Sequence, residues 1–552
     1  MRKPRWAACG LFLCSMTVFA GSFVPDAGQL MNQVAPSDLV PVPKTGRSVL
    51  APIQDNAPMR QFDQTPFRVN HIRLLGNRAI NNKDLEPIFQ SSEGKDMTLG
   101  DLWFLAGRIT RYYHDHGYLL ARAYVPAQDV SQGDVVIQVL EGRFDKLYVK
   151  NSSHVRSSVL DWFMQPLYTK SAIKKQELEQ QLYLMNDLPG VVAHGLIRPG
   201  SETGTSDFLT FADSTPRFKG NVGVDDWGNR YTGALRAYTQ LDLLSPLRIG
   251  DHLSAYLMDS EFGGSKYGRV SYDVPVNGEG MRVGAAYGDL TYALGKEFTS
   301  LHAHGTASSA SVYLMQPLIR DQYNNLNIQL VYDSRYLNDV QTPLQTVTDH
   351  KRLDVFSEAF NGDHQGLNGS MTSYSMTVSG GSLALDALTN AQDAQTYHTQ
   401  GLYLKMLSTA NTLQPLRGRF SLYAALTTQF SDNNMDPEEK LSLGGPTGVR
   451  AYPQGEALVD QGALGTAELR YALREQMHLT LFYDAAVGNQ YHSPLPTTAN
   501  NRRTLSGVGF GLISQPWHGL SSNASVAWRT SSQPTSAPDA RPTFWWQLQE
   551  SF

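Results

Sequence analysis

The sequence predicts a transmembrane antiparallel β-barrel of about sixteen strands, preceded by two small units of βααββ order and a short N-terminal helix. Three observations lead there. From residue 214 to Phe552 helical periodicity disappears, and alternating segments of roughly ten residues recur between clusters of Gly, Asn, Asp and Pro. Ahead of that stretch, amphipathic helices alternate with strands in two successive segments. At the start, a basic, then apolar, then small-residue run has the form of a secretory signal.

Composition narrows the class before any motif is read. A chain of 552 residues exceeds the usual size of one domain. Hydrophobic residues make up 41% and aromatics 10%, and the mean hydropathy of −0.32 excludes a bundle of membrane helices. The net charge of −5 provides no field of the kind that nucleic acid requires, so nucleic-acid binding is discarded.

Residues 1–20 join Arg2, Lys3 and Arg5 to an apolar stretch from Trp6 to Phe19 and to small-residue spacing at Val18 and Ala20, and are expected to be a signal peptide. Both cysteines, Cys9 and Cys14, lie within it, so the mature chain is expected to carry neither disulfides nor thiol chemistry. Residues 21–35 hold a short helix pattern, with Asp26 as an acidic N-cap ahead of Ala27 to Val34. Residues 36–66, spaced by Pro36, Pro41, Pro43, Pro52, Pro58 and Pro66, read as an extended linker.

The first compact unit, residues 67–143, reads as a strand (67–75), helices (83–89 and 99–116) and strands (119–126 and 134–140). Its longer helix sets Leu99, Leu102, Ala106, Ile109 and Tyr113 on one face, the spacing of a buried stripe, and Gly117 ends it. The second, residues 144–213, repeats the order with a strand (146–150), helices (158–163 and 174–185), a break at Leu188-Pro189-Gly190, and strands (191–197 and 207–211).

In residues 214–552 the alternation sorts side chains by face. Leu235, Ala237, Thr239, Leu241 and Leu243 suit lipid, while Arg236, Tyr238, Gln240 and Asp242 suit a wet lumen. Phe420, Leu422, Ala424, Leu426 and Phe430 alternate likewise with Ser421, Tyr423, Thr427 and Gln429. A soluble β-sandwich also alternates, but the signal-like start, the missing thiols and more than three hundred residues of β pattern without a helix favour the barrel. An aromatic last residue on the lipid face, Phe552, is the expected outer-membrane targeting end.

One stretch breaks the strand pattern. Leu443 to Pro453 reads Leu-Gly-Gly-Pro-Thr-Gly-Val-Arg-Ala-Tyr-Pro, too rich in Gly and Pro for a strand and therefore a structured loop. On the following strand Thr466, Glu468 and Arg470 share one side. On the next, Thr480, Phe482, Asp484 and Ala486 share one side and Leu479, Leu481, Tyr483, Ala485 and Val487 the other, which points Asp484 into the lumen.

These residues resemble the haemolysin activation and secretion family (ShlB/FhaC/HecB), transporters of two-partner secretion that belong with the barrel-assembly proteins. That family has an inward-folded loop ending in Val-Arg-Gly-Tyr or Val-Arg-Gly-Phe, similar here to Val449, Arg450, Ala451 and Tyr452 within a loop spanning 432–460. Its strand motif Phe-x-Asp-x-Gly resembles Phe482, Asp484 and Ala486. The resemblance implies that Arg450 pairs with Asp484 in the lumen, that residues 21–35 form a plug helix, and that 67–143 and 144–213 are POTRA domains. Ala451 and Ala486 stand where the family has glycine; if the loop tip needs a positive φ at 451, alanine there would be strained.

The function so implied is export of one partner polypeptide, a large adhesin, haemolysin, contact-dependent toxin or haem-scavenging protein, across the outer membrane without ATP. The POTRA-like domains would lie in the periplasm and the barrel-assembly machinery would insert the chain among outer-membrane lipids. A porin would have no use for two periplasmic domains; an assembly factor for other barrels is the second alternative. No cofactor, metal or enzymatic activity is expected. His302 and His304 lack a third ligand, Gly507, Gly509 and Gly511 read as one face of a strand rather than a nucleotide loop, and no nucleophile elbow or His-Glu-x-x-His is present. The acidic run Asp432 to Glu439 lacks the glycine and glutamate of a calcium loop and is expected to be solvated.

Overall fold

The computed structural model describes residues 24–34, 49–50, 65–168, 172–202, 204–342, 347–494, 500–516 and 519–552. The expected signal peptide and nearly all of the 36–66 linker lie outside them. The first described element is a helix, α1 (Ala27–Val34), and the first small unit comes next among the described elements. This unit contains β1 (Phe67–Val69), β2 (His71–Leu75), α2 (Asn82–Phe89), β3 (Lys95–Met97), α3 (Leu99–Asp115), β4 (Arg122–Tyr124) and β5 (Asp134–Leu140). Its sheet has the order β2-β5-β4, with β2 parallel to β5.

The single strand expected over 67–75 is split at Asn70, because the amides of Asn70 and His71 both donate to the carbonyl of Gly133 (2.7 and 3.3 Å). That turn frees β1 to pair with β3, a three-residue strand too short to show a period. On α3 the buried stripe is Leu102, Leu105, Ala106, Ile109 and Tyr113, with Leu99 only half-buried. Thr98 caps it: its hydroxyl accepts from the Asp101 amide (3.2 Å), and Asp101 accepts from the Thr98 amide (2.9 Å). The Thr98 amide and hydroxyl, both donating to the Asp101 carboxylate (2.9 and 2.8 Å), hold that carboxyl below its ordinary pKa. Thr98→Ala is expected to cost about 1 kcal/mol, read as faster hydrogen exchange over the first turn of α3 in the full chain.

The second unit contains β6 (Arg143–Asn151), α4 (Ser157–Tyr168), α5 (Lys175–Asn186), β7 (Val191–Pro199) and β8 (Thr205–Ser214) in the sheet order β6-β8-β7. Leu160, Phe163, Leu182, Met185 and Phe208 fill its core. It is tied to the near rim of the barrel. The Arg320 guanidinium grips Asp187 with two hydrogen bonds (2.8 and 3.0 Å) and lies over the Tyr183 ring, and Arg248 donates to the carbonyl of His154 (3.0 Å).

The barrel starts with β9 (Phe218–Asp225), β10 (Arg236–Leu244), β11 (His252–Ser260), β12 (Ser265–Pro275), β13 (Arg282–Ala293) and β14 (His304–Arg320). It continues with β15 (Asn324–Gln341), β16 (Val347–Gln365), β17 (Met371–Leu385), a surface helix α6 (Ala387–Asp393), β18 (Gly401–Pro415) and β19 (Phe420–Ser431). Two short strands, β20 (Leu441–Ser442) and β21 (Leu458–Val459), pair with each other inside. The wall then resumes with β22 (Gln461–Arg474), β23 (Met477–Asn489), β24 (Arg502–Ser514), β25 (Leu520–Arg529) and β26 (Thr543–Ser551).

Among the described residues sixteen antiparallel strands close this barrel, with β26 returning to β9. The closing seam is short, from Gln547 opposite Asp225 to Ser551 opposite Asn221. Phe552 extends it: its amide donates to the Gly220 carbonyl (2.9 Å), and the Gly220 amide donates back (3.1 Å). A side chain at 220 would meet the Phe552 ring at 2.8 Å, so glycine there seats the terminal aromatic, which is exposed on the outer face. Leu241, Leu257, Tyr332, Phe356, Leu426 and Phe510 are likewise exposed outwards, as a lipid-facing wall requires.

Candidate functional site in the barrel lumen

Two elements fill the lumen: the loop between β19 and β22, and helix α1. The loop enters from the end opposite the two small units, and β20 pairing with β21 turns it into a hairpin that reaches inward and returns. Its left-handed positions fall on Gly445, Gly455 and Ala457, and Ala451 is not among them. Alanine at 451 therefore carries no positive-φ strain. Its methyl is instead received by the wall, where a Cβ built on Gly507 would lie 2.4 Å from that of Ala451. Gly507→Ala is thus expected to destabilise the seated loop by about 1–3 kcal/mol. Ala451→Gly should restore it, which paired secretion assays of the single and double variants would read.

The tip brings Arg450 to Asp484. The guanidinium donates from Nε and Nη2 to the two carboxylate oxygens (2.9 Å each), and the Arg450 amide adds a third bond to Asp484 (3.1 Å). Nη1 donates to Glu468 (3.0 Å), which also accepts from Arg470 (2.8 Å), so two cations and two anions balance. The guanidinium lies 3.3 Å over the Phe482 ring, and that ring occupies the space left by Gly509, where a Cβ would meet it at 2.3 Å. Strand register thus sets Phe482 over Gly509, and the loop tip lays Arg450 on that ring, with Asp484 and Glu468 beside it. Thr466 donates to Asp484 (3.0 Å), and Ala486 packs in the same apolar cluster as Val449 and Tyr452.

Of the other motif residues, Tyr452 anchors the tip to the barrel's last hairpin and Val449 closes a turn within the loop. Tyr452 is fully buried and donates to the Ser532 carbonyl (2.6 Å), and Val449 donates to the Leu443 carbonyl (2.8 Å). Two anchors escaped the sequence reading. Trp545 donates from its indole to the Arg450 carbonyl (2.7 Å). Glu456, wholly buried, pairs with Arg503 and accepts from the amides of Thr535 and Ser536 (3.0 and 2.8 Å).

The acidic run is a correction. Asp436, Glu438 and Glu439 are buried rather than solvated, because the wall presents lumenal cations to them. Glu439 pairs with Lys405 and with Arg335 (2.7 Å), and Asp436 pairs with Lys351 (2.9 Å). Opposite charges at 335, 351 and 405 were the available signal, but they become neighbours only when the barrel closes.

Helix α1 rests on this same segment. Lys351 binds Asp26 (3.0 Å) as well as Asp436, the Ala27 amide donates to Asp339 (2.8 Å), and Asn32 donates to the carbonyls of Glu438 and Lys440 (3.0 and 3.2 Å). A Cβ at Gly28 would approach that of Glu438 to 2.8 Å, so glycine permits the close contact. Ala27, Leu30, Met31 and Val34 pack among Tyr267, Leu290, Tyr292, Leu337 and Met435. Beside the helix an open polar cavity of about 840 Å³ runs past Tyr238, Gln240, Gln429, Gln547 and Gln549.

Comparison with known proteins follows the same lines. The POTRA domain, ShlB-type, matches residues 67–142, and the haemolysin secretion/activation protein ShlB/FhaC/HecB model matches residues 204–513, more than half of the chain. The chain is 27% identical to the heme/hemopexin transporter protein HuxB of Haemophilus influenzae, over 91% of each chain. It is 24% identical to the outer membrane transporter CdiB of Dickeya dadantii, over 87% of this chain and 84% of that one. The structure of CdiB from Escherichia coli superposes with a TM-score of 0.72 at 18% identity, covering 92% of this chain and 94% of that one. BamA from Haemophilus ducreyi lacking POTRA domains 1–3 superposes with a TM-score of 0.51 at 14% identity, covering 88% of this chain and 100% of that one. With its sixteen-stranded barrel, its inward loop and its ShlB-type POTRA domain, the chain belongs to the haemolysin secretion/activation family ShlB/FhaC/HecB, transporters of the outer membrane with periplasmic POTRA domains.

Proposed function

We propose that this protein exports one partner polypeptide from the periplasm to the cell surface by two-partner secretion, its POTRA domains binding the cargo and its barrel conducting it without ATP. The observation that carries this reading is a closed barrel whose lumen is occupied by two elements, helix α1 and the loop between β19 and β22, each seated on the wall by non-covalent contacts that can be exchanged. Such a lumen can be opened. In this division of the chain, residues 1–20 direct secretion, 21–35 plug the barrel, 36–66 tether the plug, and 67–143 and 144–213 are the two POTRA domains. Residues 214–552 form the barrel, with the inward loop at 432–460.

In the resting state Arg450, seated on Asp484, Glu468 and Phe482, holds the loop, and the loop in turn holds α1 through Asp436 and Lys351. Val449, Ala451 and Tyr452 shape the tip, Phe482 and Ala486 support it, and Phe552 serves recognition by the barrel-assembly machinery that inserts the chain among outer-membrane lipids. Cargo folding outside the cell supplies the driving force, since no nucleotide is available in the periplasm. The protein acts as a conduit for the cargo.

A cargo of the haem-scavenging class is favoured by the extent of the likeness to HuxB, which spans 91% of both chains. The test is to delete the chain and identify the protein lost from the surface. Loss of a haem- or hemopexin-binding protein supports the assignment, and loss of a toxin or adhesin without that binding contradicts it.

A further inference from the structure

Strand β7 is an edge of the second POTRA sheet: β8 lies on one side of it and, among the described residues, no other strand of that sheet on the other. Its outward backbone groups fall at alternate residues, 193, 195 and 197. The first of these is closed by a side chain, for the Ala193 amide donates to Asn186 Oδ1 (2.8 Å) and the Ala193 carbonyl accepts from Asn186 Nδ2 (2.7 Å). The second is closed from far away in sequence. The Gly195 amide donates to the carbonyl of Val49 (2.8 Å), and Leu50 forms a parallel bridge with Gly195. Val49 and Leu50 are half-buried against the apolar core of the unit. Two residues from the stretch between α1 and the first POTRA domain therefore lie on β7 as the beginning of an added strand.

Exposed sheet edges bind extended peptides through main-chain hydrogen bonds, with pockets for alternate side chains. We propose that the β7 edge is a port for an extended, apolar segment of the exported polypeptide, running parallel to β7, and that Val49–Leu50 is its competitor in cis. The proposal rests on the reading that the POTRA domains capture cargo. A tethered occupant acts at an effective concentration on the order of millimolar, so cargo binds only to the fraction of molecules whose edge is open, and its apparent affinity falls by that fraction. Fourteen residues separate Val34, the end of α1, from Val49. Extended, they span at most about 50 Å, so displacement of Val49–Leu50 by cargo slackens the tether of the plug. Cargo capture and plug release are coupled by this one exchange of strands.

The test uses the full chain carrying Val49→Asp and Leu50→Asp, alongside the milder Leu50→Ala. The probe is the purified amino-terminal region of the polypeptide whose surface appearance is lost when this chain is deleted. Amide exchange over residues 191–199 should accelerate in both variants while exchange in α4 and α5 stays unchanged, and the double variant should bind the probe about tenfold more tightly. Unchanged exchange over 191–199 overturns the proposed occupancy. Accelerated exchange with unchanged probe affinity overturns the competition. Failure of wild-type and variant alike to bind the probe overturns the capture reading itself, and with it the proposal.

Discussion

Deleting residues 22–35 raises single-channel conductance several-fold in planar bilayers while secretion persists. The expectation follows from how α1 is held. It fills the lumen with only four buried apolar side chains, Ala27, Leu30, Met31 and Val34, and depends otherwise on Lys351, Asp339 and the loop carbonyls. Lys351→Ala should move conductance the same way, because it leaves Asp26 and Asp436 facing each other without their shared cation. Removing one member of an enclosed charge group costs about 3–5 kcal/mol, since the partners stay desolvated and unpaired. At about 1.4 kcal/mol per tenfold, such a loss turns a rarely open plug into a frequently open one. Conductance that is unchanged by both the deletion and Lys351→Ala would remove α1 from the resting channel.

Arg450→Ala abolishes or sharply reduces secretion while leaving a barrel that is inserted and resists denaturation at room temperature. Here the wall survives because sixteen registered strands do not need the loop, but the loop tip does need the arginine. Without it Asp484 and Glu468 stay buried, facing a cavity, at a cost again of about 3–5 kcal/mol. Arg450→Lys tests geometry apart from charge: an ammonium cannot make both bonds to Asp484, the bond to Glu468 and the stack on Phe482 at once. It is expected to recover only part of the secretion. Export at wild-type level from Arg450→Ala, measured as cargo on the cell surface, would contradict the role given to the loop.

Local period made much of this molecule legible before its structure was described. The alternation that put Tyr238 and Gln240 inside and Leu241 outside is a property of single strands, and it carries over to the wall without knowledge of the neighbours. The same parity put Asp484 and Phe482 in the lumen. What escaped depends on closure. Asp436, Glu438 and Glu439 look like a solvated run in sequence, and they are buried because Arg335, Lys351 and Lys405 reach them from strands far away in the chain. Trp545 and Glu456 share this character: each is set by a meeting of the loop with the far hairpins. The departure at Ala451 was legible as an added methyl, but its accommodation by Gly507 was not, because that contact joins two segments with no shared period.

The claim that matters most is export of a single polypeptide, and the most direct measurement is quantitative proteomics of surface, outer-membrane and periplasmic fractions after deletion of this chain. One large secreted protein is expected to disappear from the surface and to accumulate or be degraded in the periplasm, while other outer-membrane barrels keep their levels, and wild-type chain is expected to restore export where Arg450→Ala does not. A general fall in outer-membrane barrel proteins, with no single cargo retained, would contradict it and identify an assembly factor instead.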